Sequence, residues 1–151
     1  MKIIISPYSR KLRNGNNNPK NYPYWQKLIK LLKEDGHTII QVGSGDEIVF
    51  EGVDEVKFDL SLNDLTTLFQ ECDTWMGVDN FFQHFASHLE KPGIVIFGKS
   101  NPDIFGYKHN INILKDRANL RAKQFDIWEE EVFNKNVFPY AEEVFQTFKS
   151  R

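Results

Sequence analysis

Short runs of β-branched and aromatic residues alternate along this chain with stretches whose apolar residues recur every three or four positions. The first kind predicts strands and the second predicts helices with one buried face. Lys2 to Ile5 reads as a first strand, and Ser6 to Asn21, rich in Asn, Gly, Pro and Arg, reads as a loop. Pro23 is expected in the first turn of a helix. Trp25, Leu28, Ile29 and Leu32 share one face of that helix, and Gly36 ends it. Thr38 to Val42 is a second strand, Gly43 to Glu47 a tight turn, and a weak edge strand lies near Val56. Ser61 with Asp64 resembles a capping box, opening a helix whose core face is Leu62, Leu65, Leu68 and Phe69. Thr74 to Val78 is the third clear strand, after which Asp79 is expected to cap a helix carrying Phe82, Phe85, Ala86 and Leu89. Gly93 to Phe97 is the fourth, ended by Gly98. Asn101 to His109 is a loop, Ile111 to Leu114 a short strand, and Phe138 to Lys149 a closing helix.

Strands alternating with helices predict an α/β fold, here a single three-layer Rossmann-like domain with a mainly parallel sheet. The chain has 151 residues, a length that fits one domain. Hydrophobic residues are 40% and charged residues 26%, which excludes a disordered chain. A net charge of −2 excludes a general nucleic-acid binder. Charge is uneven locally: Arg10, Lys11, Arg13 and Lys20 make the first loop basic, and Glu129, Glu130 and Glu131 form an acidic run. The single cysteine, Cys72, cannot form an internal disulfide, which suggests a reducing compartment. The apolar run Ile3 to Ile5 is too short for a signal peptide or a membrane span, so a cytoplasmic location is expected.

Ligands of open parallel sheets bind beyond the carboxyl ends of the strands. That rule selects Ser6 to Lys20, Gly43 to Glu47, Asp79 to His84 and Gly98 to Tyr107, also the most polar and glycine-rich parts of the chain. Gly93 through Ser100 matches the P-loop pattern by letter, but its variable positions are Ile94, Val95, Ile96 and Phe97, the body of a strand. It is rejected as a phosphate loop. His84 and His88 have metal-compatible spacing but no third ligand, and read as one site histidine and one surface histidine. Cys72 reads as a small buried residue rather than a nucleophile. In the first loop, Ser6, Tyr8, Ser9, Arg10, Lys11 and Lys20 offer hydroxyls and cations suited to a diphosphate, beside a helix N-terminus. An exposed basic loop without a ligand is the equal alternative. Phe81 and Phe82 are both expected inside, since aromatics bury well; otherwise one stacks on a base or covers a ligand.

Taken in order, these segments resemble the C-terminal domain of the heptosyltransferase family, glycosyltransferase family nine, which has the GT-B architecture. Ile3-Ile4-Ile5-Ser6-Pro7 and Lys20-Asn21-Tyr22-Pro23 resemble its strand, Pro/Gly/Ser loop and Lys-x-Trp-Pro stretch. Val42-Gly43-Ser44-Gly45-Asp46-Glu47 resembles its Gly-Gly-x-x-Glu turn. Asp79-Asn80-Phe81-Phe82-Gln83-His84-Phe85-Ala86 resembles its Asp-x-Gly-x-x-His-x-Ala stretch. Lys91-Pro92 through Phe97-Gly98-Lys99-Ser100-Asn101-Pro102 resembles its Lys-Pro strand and Phe-Gly-x-Thr-x-Pro loop. The likeness runs over roughly residues 2 to 110, and departs from the pattern where Phe81 replaces the glycine after the aspartate.

The resemblance implies the donor-binding half of a glycosyltransferase, taking a nucleotide-diphosphate sugar as donor substrate. Lys20 and the loop of Ser6, Tyr8, Ser9 and Arg10 would meet the donor phosphates, and Glu47 would lie near the nucleoside. Asp79 and Asn80, at the start of their helix, would face the diphosphate and sugar, with His84 and Ser100 completing the binding set. The family's other domain carries the acceptor site and the base, so no catalytic base is assigned here. An acceptor-domain protein or a second copy is the partner this implies, and transfer would need no metal and no cofactor besides the donor. The alternatives are a non-catalytic nucleotide-binding or interaction module and, more weakly, a nucleotide-processing enzyme acting alone. If Lys20 is exposed, Lys20→Ala should leave stability within about 0.5 kcal/mol while weakening donor binding about ten- to a hundredfold.

Overall fold

A computed structural model describes residues 1–151. The isoleucine-rich runs become strands because β-branched side chains fit a pleated, doubly covered surface. β1 (Lys2–Ser6), β2 (Thr38–Gly43), β3 (Glu55–Phe58), β4 (Thr74–Val78), β5 (Ile94–Phe97) and β6 (Ile111–Leu114) form one six-stranded sheet. Its order is β3-β2-β1-β4-β5-β6 and every pairing is parallel. This doubly wound order reverses direction between β1 and β4, where Ser6 lies opposite Gly77.

Strand alternation sorts the core into two halves. Ile3, Ile5, Ile39, Met76 and Ile96 face α1 (Trp25–Glu34) and α5 (Ala141–Ser150), whose Leu28, Leu32, Val144 and Phe148 pack on them. Ile4, Ile40, Trp75 and Val95 face α2 (Leu62–Glu71) and α3 (Phe81–His88) through Leu65, Leu68, Phe69, Phe82 and Ala86. The sheet and these two helical layers make the three layers expected of the fold class.

Several elements differ in detail from the sequence pattern. Pro23 stands in a turn ahead of α1, whose N-cap is Tyr24 with no side-chain cap bond. Leu62 is 56% exposed, because it opens α2 on the solvent side of the apolar face. Within the expected loop from Asn101 to His109 lies a one-turn helix, α4 (Pro102–Phe105), started by Asn101 accepting from the Asp103 N–H. The closing helix starts at Ala141 rather than Phe138, since Pro139 breaks the run. Phe138 is instead a fully buried plug that meets the Tyr22 ring at 5.8 Å. Residues 115–140 fold as three 3₁₀ turns (Arg117–Asn119, Trp128–Glu130 and Lys135–Val137) with no apolar period to announce them. No helix is long and apolar enough to cross a membrane.

The two sides of α1 and α2 give a direct test of this packing. Leu28 is 0% exposed, so Leu28→Ala should cost about 2–5 kcal/mol in urea unfolding, whereas Leu62→Ala should stay within about 0.5 kcal/mol.

Candidate functional site

At the carboxyl ends of β1, β2, β3 and β4 the loops enclose a cavity of about 840 Å³. Its size is that of a small-molecule or cofactor site. Nine of the expected binding residues line it: Ser6, Tyr8, Ser9, Arg10, Lys20, Glu47, Asp79, Asn80 and His84. Ser100 does not. It is 2% exposed just past the end of β5, with its hydroxyl unpartnered, where Gln124 bonds the main chain of both its neighbours, Lys99 and Asn101.

The switch point is stitched together by side chains. Asn80, not Asp79, caps α3: its Oδ1 accepts from the Phe82 N–H at 3.0 Å. Its amide also donates to Ser6 Oγ at 2.9 Å and to the Tyr8 carbonyl at 3.1 Å. An aspartate, which only accepts, could not do both. Ser9 Oγ donates to the Asp79 carbonyl at 2.7 Å. The first loop is thereby tied down across the end of β4. Asn18 tightens it further, donating to the Arg10 carbonyl and accepting from the Lys20 N–H.

Asp79 turns inward instead. Its side chain is 6% exposed, and the carboxylate accepts from Gln83 Nε2 at 2.7 Å and pairs with Lys20 Nζ at 3.3 Å. Lys20 is therefore not the exposed cation of the sequence reading: its side chain is only 21% exposed. Arg10 and Lys11, the other cations of the loop that line the cavity, also have carboxylate partners. Arg10 makes a two-pronged bond to Glu129 at 3.1 and 3.2 Å, and Lys11 pairs with Asp46. The fork to Arg10 holds the Glu129 carboxyl down at about 2, with added help from the Arg13 N–H.

Glu47 occupies the far side of the cavity. Its carboxylate accepts from the Ser44 N–H, in space that exists only because Gly43 has no side chain. Burial pushes the Glu47 carboxyl up, and Asp46 and Asp59 add to this. Tyr8, stacked on Phe50 at 5.8 Å, has its hydroxyl pushed up by burial and then by Glu47. His84 is exposed, with Nδ1 2.6 Å from the Tyr107 hydroxyl, and His88 lies exposed further along α3. No group of three or more His, Cys, Asp or Glu side chains is placed to hold a metal ion.

The aromatic pair divides. Phe82 is buried between Phe69 and Trp75, but Phe81 is 64% exposed and walls the cavity, contrary to the expectation that both pack inside. Helical geometry requires this: adjacent residues point about 100° apart, so only one can enter the core. Gly98 to Ser100 forms no phosphate cradle. The residues before it are β5, and Lys99 is spent on Glu131 and the Val132 carbonyl. Cys72 is half-buried and burial pushes its thiol up, in keeping with a non-nucleophilic role. Sequence reasoning missed Lys57, Asp59 and Leu60, which line the cavity from the end of β3. Applying the strand-end rule to the weak edge strand near Val56 would have found them.

Two outcomes test this geometry. Removing Lys20 leaves a buried carboxylate unpaired, which costs roughly 3–5 kcal/mol for a fully buried pair and less here, since Lys20 keeps some solvent. Urea unfolding of Lys20→Ala should show a loss of about 2–3 kcal/mol, and adding Asp79→Asn should restore at least about 1 kcal/mol. Equal stability of Lys20→Ala and wild type would contradict the pair. The second outcome concerns pH. A carboxyl held at about 2 contributes stability that is complete above its unfolded value near 4.5 and is lost as pH falls toward 2. The stability difference between wild type and Glu129→Gln should thus be constant from pH 7 to about 5 and close below about 4.5.

A family model, glycosyltransferase family 9 (heptosyltransferase), matches residues 2–131. No curated protein matches the chain. Among solved structures, a glycosyl transferase family 9 protein from Veillonella parvula aligns with a TM-score of 0.74 at 16% identity, over 98% of this chain and 45% of that one. The E. coli heptosyltransferase WaaC, solved with ADP, aligns with a TM-score of 0.68 at 19% identity, over 98% and 43%. The iron-containing dodecameric heptosyltransferase TibC, in complex with ADP-D-beta-D-heptose, aligns with a TM-score of 0.70 at 13% identity, over 98% and 44%. At these identities the likeness establishes the fold, that of one half of a GT-B heptosyltransferase. The chain spans less than half the length of these relatives.

Proposed function

Because the chain belongs to glycosyltransferase family 9 (heptosyltransferase), we propose that it is a donor-binding half and that its switch-point cavity takes a nucleotide-diphosphate sugar. The observation that carries this reading is the convergence of Arg10, Lys11 and Lys20 with the start of α3 on one cavity, with Glu47 on its far side. Diphosphate oxygens would lie along the first loop and the start of α3, and Glu47 would accept from nucleoside hydroxyls. When the bond from the anomeric carbon to the diphosphate breaks, its electron pair leaves with the phosphate oxygen. Cations already in place stabilise that charge without reorganising, so the step needs no metal from this half. An adenine nucleotide is the first candidate, since WaaC was solved with ADP and TibC with an ADP-linked heptose. The acceptor site and the base would lie outside these residues, and a partner chain or a second copy could supply them, an arrangement in keeping with dodecameric TibC. The cytoplasm, where nucleotide sugars and reduced thiols occur together, is the proposed location.

A second reading has its own observation. Phe81 stands 64% exposed in the cavity where the family pattern has glycine, and its bulk narrows the approach to the α3 N-terminus. This favours a module that keeps nucleotide binding without transfer.

A thermal-shift screen with ADP, UDP, GDP and their sugars, followed by calorimetry, tests the donor reading. At least one nucleoside diphosphate should raise the melting temperature, and Lys20→Ala, measured well below its own melting point, should bind it about ten- to a hundredfold more weakly. No shift with any nucleotide would reject the donor reading. Tight binding without transfer in the presence of an acceptor half would favour the second.

A further inference from the structure

The stretch between β6 and α5 does not line the cavity, yet it reaches the cavity's cations from behind. Its centre is Arg121, 9% exposed. The guanidinium donates to the carbonyls of Ile127 at 3.2 Å, Gln124 at 3.1 Å and Asp126, so residues 121–127 are wound around one cation. The wound loop is pinned to the end of β5: Gln124 Nε2 donates to the Lys99 carbonyl at 2.9 Å, and its Oε1 accepts from the Asn101 N–H at 2.8 Å. The Arg121 guanidinium also sits 3.5 Å from the centroid of the Trp128 ring. Trp128 is 7% exposed, and the same ring lies 5.1 Å from Lys20 Nζ. The next residue, Glu129, forks Arg10.

We propose that Trp128 is a positioning residue for the donor phosphates, holding the Lys20 ammonium in place from behind the cavity, with the Arg121-centred loop as its mount. This rests on the donor reading above. Asp79 alone would draw the lysine inward and offset its charge. The ring face attracts an ammonium without neutralising it. An ammonium has three N–H donors. Asp79 takes one at most, and the ring accepts through its face, so a donor remains for a phosphate oxygen. The flexible four-carbon stem is also ordered before the ligand arrives, which removes an entropic cost from binding. Glu129 does less of this work, because Arg10 is largely exposed and its pair is screened by water.

The test is binding of ADP and of adenosine to the full chain, by calorimetry and by chemical-shift titration at millimolar ligand, with a melting curve for each variant. Trp128→Leu keeps apolar bulk and removes the ring, Trp128→Phe keeps a weaker ring, and Trp128→Met replaces Trp128→Leu should the latter not fold. ADP affinity should fall about three- to thirtyfold in Trp128→Leu and by less in Trp128→Phe, while adenosine affinity stays within about twofold. Unchanged ADP affinity in Trp128→Leu, beside clear binding by the wild type, overturns this inference alone. So does an equal loss for ADP and adenosine, which marks general damage to the site. A wild type that binds neither ligand nor any other nucleoside diphosphate overturns the donor reading, and this inference with it.

Discussion

β1 and β4 lie side by side in the sheet although the chain that leaves β1 runs to β2 and the chain that leaves β4 runs to β5. Two parallel strands whose successors depart in opposite directions must open a crevice at their carboxyl ends. The crevice would be a weakness if left to two unrelated loops. Here the Asn80 amide crosses it to Ser6 and Tyr8, and Ser9 crosses it to the Asp79 carbonyl. Those bonds hold the first loop across the mouth and bring Lys20 onto Asp79. The cavity, the cation set and the cap of α3 are all consequences of that one pairing.

The cations around the cavity are all paired, but not equally. Arg10 with Glu129 and Lys11 with Asp46 involve exposed cations whose attraction is screened by water. Either cation can exchange a carboxylate for a phosphate at little cost. Lys20 with Asp79 is a buried pair with further support from Gln83 and Trp128, and it is rigid by comparison. The site therefore combines a fixed charge at its base with adaptable ones at its rim. Fixed charge suits stabilisation of a leaving group; adaptable charge suits capture and release. The Glu47 corner is different again, with a carboxyl made weaker as an acid by burial among other carboxylates.

The stretch from residue 115 to 140 shows how a segment without regular periodicity can still be specified. Its order comes from Arg121, which collects carbonyls, and from Phe138, which fills the space beside Tyr22 and Gly98. Gly98 is required there by proximity, since a side chain would meet the Phe138 ring at 2.7 Å.

The strands, the four long helices and the loops that form the site were legible in the residue pattern, because period and turn chemistry are local properties of neighbouring residues. Nine residues expected at the site do meet in one cavity, since strand ends in a parallel sheet must face the same way. What remained illegible was which partner each polar group takes. The residue pattern pointed to Asp79 as the cap of α3; the cap is Asn80 instead, because Lys20, far away in the chain, and Gln83 claim the aspartate. Phe81 and Phe82 were equally apolar; the phase of α3 against β4 exposed the first. Ser100 looked like a loop hydroxyl until the fold buried it. Sequence by itself determined the elements, their faces and the end of the sheet where chemistry gathers. Only the tertiary structure decided the pairings of charge, because an ion pair depends on distances between residues that no local pattern encodes.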